Sequence, residues 1–82
     1  MYKVYILQSL KDKKTYTGYT SNLENRLVYH NSGRVKATKY RRPLKVLFAE
    51  DFNTAKEAKS RELWWKSKSG RIKLKEFFKN SE

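Results

Sequence analysis

Tyr2-Lys3-Val4-Tyr5-Ile6-Leu7 and Thr15-Tyr16-Thr17-Gly18-Tyr19 are the segments from which the fold of this chain follows. Both are rich in aromatic and β-branched residues and alternate between two faces, which is the pattern of short strands. The polar run Lys11-Asp12-Lys13-Lys14 between them predicts a hairpin connection. A hairpin centred on Leu10 and Lys11 sets Tyr5 opposite Tyr16, with both phenols on one face of the sheet.

Beyond the hairpin, Ser21 followed by Glu24 is a capping-box pattern. It predicts a helix that begins at Ser21, buries Leu23 and Leu27 and ends before Gly33. Arg26 and His30 then lie one turn apart on a shared face. Residues 34–43 carry Arg34, Lys36, Lys39, Arg41 and Arg42 with no acid and end at Pro43, so they read as a basic loop. Leu44 to Ala49 is mostly apolar on both faces, which predicts a central or covered strand of a small antiparallel sheet with helices against it. Thr54 with Glu57 is a second capping box, and its helix is expected to run to about Ser67 or Ser69. Ala55, Ala58, Glu62 and Trp65 fall on one stripe of that helix. Gly70 is expected to break it. Ile72, Leu74, Phe77 and Phe78 then predict a short final helix over the core, followed by frayed terminal residues. The order is β-β-α-β-α-α, an α+β arrangement expected to form a single domain over residues 1–82.

A chain of 82 residues builds one modest core, burying roughly 60–65% of its unfolded surface. Its 20 Lys and Arg against 8 Asp and Glu give a net charge of +12, which favours nucleic acid or an anionic membrane. No apolar run approaches the ~20 residues of a membrane span, and no segment has the pattern of a signal peptide. The expected location is the cytoplasm. There is no cysteine and one histidine, so disulfides, thiol nucleophiles and multi-histidine metal centres are excluded. Any metal is a hard ion held by oxygen.

Glu62 fits its apolar stripe least, because a carboxylate there needs a partner. One reading is an i,i+4 ion pair with Lys66; the other is a metal ligand. Tyr5 and Tyr16 likewise read either as a cross-strand aromatic pair or as reactive phenols. Together with Arg26 they hold the kinds of group that a metal-assisted cut of a phosphodiester requires: a proton acceptor, a cation for the phosphate and a carboxylate for the ion.

From Tyr2 to about Gly70 the chain resembles the GIY-YIG nuclease family, and the small single-domain members in particular. Val4-Tyr5-Ile6-Leu7 stands for the first triplet and Tyr16-Thr17-Gly18-Tyr19-Thr20 for the second. Arg26, His30-Asn31 and Gly33 follow, then Tyr40-Arg41-Arg42-Pro43, and Ala58 to Glu62 with its Arg61-Glu62 pair. The resemblance implies a three-stranded antiparallel sheet flanked by helices, with a phosphodiesterase site on the sheet face. It implies Tyr16 as general base, Tyr5 positioning water or phosphate, Arg26 binding the phosphate with His30 assisting beside it, and Glu62 holding Mg²⁺ or Mn²⁺. Free tyrosine has a pKa of ~10, so a phenolate base needs nearby cations. One carboxylate is a thin shell, so a single divalent ion is expected to be held weakly without substrate. Val4 departs from the glycine of the first triplet, Thr17 from a usual isoleucine, and Tyr19 stands where some relatives carry lysine.

The function these features predict is a metal-dependent endonuclease domain acting on DNA in preference to RNA, in DNA repair or processing. The alternative is a nucleic-acid-binding module of the same fold without chemistry. A third class, a binder of an acidic protein, predicts little affinity for DNA. Arg34, Lys36, Lys39, Tyr40, Arg41 and Arg42 on the loop, with Lys66, Lys68 and Arg71, are the expected nucleic-acid contacts. No segment is spare for a target-selecting module, so a protein partner supplying target selection is also expected.

Overall fold

The computed structural model describes residues 1–80. The chain runs β1 (Tyr2–Ser9), β2 (Thr15–Thr20), α1 (Leu23–Asn31), a short 3₁₀ turn at Lys39–Arg41, β3 (Leu44–Phe52), α2 (Ala55–Lys66) and α3 (Lys68–Asn80). The strands form an antiparallel sheet in the order β2-β1-β3, so the predicted α+β, β-β-α-β-α-α architecture is the one observed. The expected fraying falls partly on residues 81–82, which lie outside the described residues.

β1 is the central strand, and its sequence says why. Val4, Tyr5, Ile6 and Leu7 are all buried, a continuous run suited to a strand covered on both faces. On one face Val4 and Ile6 pack against Ala58 and Trp65 of α2, with Leu74 of α3 beside them. On the other, Tyr5 and Leu7 pack with Leu44 against Leu23 and Leu27 of α1. β3 was the strand expected at the centre or under cover; it is instead an edge, and it extends through Phe52. A register shift opposite Ile6 and Leu7 bends it, which lets Leu47 and Phe48 both reach the α2 side and makes the edge a poor template for further pairing.

Three further expectations are corrected. Tyr5 pairs with Gly18 and Tyr16 with Leu7, so the hairpin is displaced from the expected register while both phenols keep a common face. Helix α1 begins at Leu23, not at Ser21, because Asn22 is its cap, accepting from the Asn25 amide while the Thr20 hydroxyl accepts from the Asn22 N–H. Gly70 does not break a helix: the chain turns at Ser67, and Gly70 lies in the first turn of α3, where a Cβ would stand 2.3 Å from the Trp64 carbonyl oxygen. The glycine is there for close packing of two helices. The Thr54 cap is as expected, its hydroxyl accepting from the Glu57 N–H at 3.2 Å and donating to the carboxylate at 3.0 Å.

Candidate active site

Tyr5 is almost wholly buried, and its ring lies across Gly18, its partner on β2. A Cβ on Gly18 would stand 2.5 Å from the Tyr5 hydroxyl oxygen and 2.7 Å from Cζ. The glycine of the second triplet therefore makes room for the tyrosine of the first. Gly18→Ala is expected to destabilise the fold by about 1–3 kcal/mol through overpacking, read as an earlier midpoint in urea denaturation. An unchanged midpoint would contradict this contact.

The Tyr5 hydroxyl is held from two sides. Arg26 Nε donates to it at 3.4 Å, and His30 Nε2 lies 3.2 Å away. His30 is fully buried, and its Nδ1 is 2.8 Å from the hydroxyl of Thr38, also fully buried. The imidazole also meets the Tyr16 ring edge-on, with centroids 4.9 Å apart. Burial, and then the charge of Arg26, push the His30 pKa down from 6.5 to about 4, so the ring is neutral at physiological pH. Burial raises the Tyr5 hydroxyl above the ordinary tyrosine value, partly offset by the hydrogen bond and charge of Arg26. Tyr5 is thus a protonated hydrogen-bonding group at neutral pH. Its hydrogen bond in turn helps hold the Arg26 proton.

Tyr5, Tyr16, Arg26 and Glu62 line one cleft of about 380 Å³, whose wall is completed by Gly18, Tyr19 and Thr20. Helix α2 packs on the opposite face of the sheet from α1, yet Glu62 reaches the cleft because the cleft lies at β2, an edge strand. The Glu62 side chain is 15% exposed, and Lys66 stands 3.5 Å from its carboxylate. Glu62 therefore forms the i,i+4 pair and also faces the cleft.

Neighbouring Arg61 points the other way and pins α2 to β3. Its guanidinium bonds both oxygens of Glu50, at 3.0 and 3.2 Å, and lies against the rings of Trp64 and Trp65. Trp65 Nε1 donates to the same carboxylate at 2.8 Å. Burial pushes the Glu50 pKa up, but these donors and the Arg61 charge outweigh it and hold the carboxyl below its ordinary value. This clamp fixes the rotation of α2 and with it the direction of Glu62.

Glu62 is the one carboxylate lining the cleft, and no group of three or more His, Cys, Asp or Glu side chains could hold a metal among the described residues. A hard divalent ion fits such a place only with most of its ligands from water and substrate phosphate.

The other expected contacts divide. Arg34 lies in a groove beside the cleft, with Arg26 shared between the two. Lys39, Tyr40 and Arg42 line a separate basic depression with Lys11, and Tyr40 is 78% exposed. Arg41 is engaged structurally, pairing with Asp12 at 3.3 Å and donating to the Thr15 carbonyl. Lys36, Lys68 and Arg71 are exposed, while Lys66 is paired with Glu62. His30 does not reach the cleft wall; it stands behind Tyr5. Thr38 was not singled out from the sequence, since nothing in a basic loop marks one threonine as the partner of a buried histidine. Asn31 was singled out only for the resemblance. Its side-chain amide donates to the Leu44 carbonyl at 3.0 Å and accepts from the Leu44 N–H at 2.7 Å, tying the end of α1 to β3.

A paired-strand core with two tyrosines, an α1 arginine and an α2 glutamate around one cleft defines the class. Residues 1–76 match the GIY-YIG catalytic domain, and the chain belongs to that family, whose domain is of nuclease type. Its relatives include the UPF0213 protein YsiG of Lactococcus lactis subsp. lactis, 46% identical over 80 residues that span 96% of this chain and 76% of that protein. The UPF0213 protein SH2523 of Staphylococcus haemolyticus is 45% identical over 73 residues, 88% of each chain. The fold is similar to the solution NMR structure of the UPF0213 protein BH0048 from Bacillus halodurans, with a TM-score of 0.54 and 33% identity over 94% of this chain and 85% of that one. No helix among the described residues is long and apolar enough to cross a membrane.

Proposed function

We propose that this chain is a single-domain endonuclease that hydrolyses DNA phosphodiester bonds with one weakly held divalent ion, Mg²⁺ or Mn²⁺, in DNA repair or processing. The observation that carries this reading is the shared cleft of Tyr5, Tyr16, Arg26 and Glu62. The net charge of +12 supports an anionic substrate, and membership of a nuclease family supports the reaction class.

Arg26 binds a non-bridging phosphate oxygen, its fork suited to more than one hydrogen bond. Tyr5, protonated and fixed through His30 and Thr38, donates to the phosphate or orients the attacking water. His30 acts through Tyr5 as a positioning residue. Tyr16, less buried than Tyr5, acts in its phenolate form and takes the proton of that water as the new P–O bond forms. The bond to the leaving sugar oxygen breaks, and that oxygen is protonated from solvent. Glu62 would hold the ion, which when bound supplies positive charge to the phosphate.

The Glu62–Lys66 pair favours a second reading, a nucleic-acid-binding module without chemistry. A plasmid-nicking assay with and without Mg²⁺ or Mn²⁺ decides between them. Wild type is expected to nick only with metal, and Glu62→Ala to lose at least about 100-fold in rate. Equal nicking by both proteins would show contamination, and DNA binding without any nicking would establish the second reading.

A further inference from the structure

Next to the cleft, Thr20, Asn22, Asn25, Arg26, Tyr29 and Arg34 line a groove of about 410 Å³, within the ~300–1,000 Å³ of small-ligand sites. Asn22, Asn25, Arg26 and Tyr29 share one stripe of α1 and its cap, and Arg26 is common to groove and cleft. The outward face of α1 is unusual for a solvated helix: Val28 is 65% and Tyr29 46% exposed. The Arg34 guanidinium carbon lies 5.4 Å from the Tyr29 ring centroid, forming a cation–π pair. Among the described residues no carboxylate pairs with Arg34, and the Asn25 side chain is committed to no partner. The groove thus offers a flat π-cation surface, an uncommitted amide and a second cation continuous with the phosphate-binding arginine. Those are the groups that recognise a nucleotide: a plane for the base, an amide for its edge and cations for its phosphates.

We infer that this groove is the subsite for the nucleotide adjoining the scissile phosphate. The base lies on the Tyr29–Arg34 pair with its edge toward Asn25, and Arg26 contacts the phosphate shared with the cleft. This inference rests on the proposed phosphodiesterase reading. The loop cation Arg34 then acts in base stacking rather than as a diffuse surface charge.

Deoxyadenosine 3′,5′-bisphosphate is a suitable probe, because it carries one base, whose N6 and N7 an amide can bond together, between two phosphates. Titrated without metal into isotopically labelled protein, it is expected to shift NMR signals of Thr20, Asn22, Asn25, Tyr29 and Arg34. Asn25→Ala and Arg34→Ala should each weaken its Kd at least about fivefold, the value of a hydrogen bond or stacking contact. Lys45→Ala, a change of an exposed cation on the far edge strand, should leave Kd unchanged. Equal affinity for inorganic phosphate, equal losses in all three variants, or shifts confined elsewhere would overturn the subsite. Binding as expected by a protein that never nicks would refute the chemistry and keep the groove; nicking with Kd unaffected by Asn25 and Arg34 would refute the groove alone.

Discussion

Arg26→Ala is expected to lower the rate of metal-dependent nicking by at least about 100-fold, the effect of removing one electrostatic donor aimed at developing charge. The guanidinium borders both cavities and already donates to the Tyr5 hydroxyl at 3.4 Å. Removing it withdraws the proposed phosphate contact and frees the phenol it restrains. It also removes the positive charge that helps keep His30 unprotonated. Arg26→Lys keeps the charge without the planar fork, so an intermediate rate is expected. Nicking by Arg26→Ala at the wild-type rate would remove phosphate binding from this residue.

The second large effect is on stability. The unfolded chain takes up a proton at histidine near pH 6.5, whereas folded His30 refuses it until about pH 4. Between those values the unfolded state binds more protons, so stability falls as the pH falls. The contribution is complete above pH 6.5 and declines by about 2 kcal/mol at pH 5 and about 3 kcal/mol at pH 4. Urea denaturation of wild type and His30→Gln at pH 7 and pH 5 measures it. Wild type should lose that amount relative to the variant, whatever the variant's own stability. Parallel pH dependence in the two proteins would mean that the imidazole is accessible to protons in the folded state.

Much of the fold was legible because it is written locally. The first strand, the hairpin and the shared face of Tyr5 and Tyr16 follow from alternation over a few residues, whereas the burial of Val4 to Leu7 on both faces comes from the central place of β1 in the sheet. The Thr54 cap follows from its pattern with Glu57. What was not legible depends on contacts between distant segments. Ser21 and Asn22 are both cap formers, and the Thr20 side chain decides for Asn22. Gly70 looks like a breaker until α2 and α3 are placed side by side. β3 looks central because Leu44, Val46, Leu47 and Phe48 are apolar on both sides; its bulge, invisible in the sequence, turns Leu47 and Phe48 to one face. In the candidate site, the residues of the family pattern were readable, but Thr38 behind His30 and the Glu50–Arg61–Trp65 clamp join parts of the chain that no short motif connects.

The clamp and the relay give the cleft a division of labour. Glu50 and Trp65 fix α2, so that Glu62 faces β2, while Thr38 and His30 fix Tyr5. Tyr16 lines the cleft beside Arg26 and touches the imidazole by its ring; in the proposed mechanism its hydroxyl is the one that takes the proton. The most direct test is therefore the nicking rate of Tyr16→Phe beside wild type with Mg²⁺ or Mn²⁺, with DNA affinity and urea midpoint measured on the same preparations. The proposed mechanism predicts loss of turnover with affinity and stability retained. Normal turnover by the phenylalanine variant would contradict it.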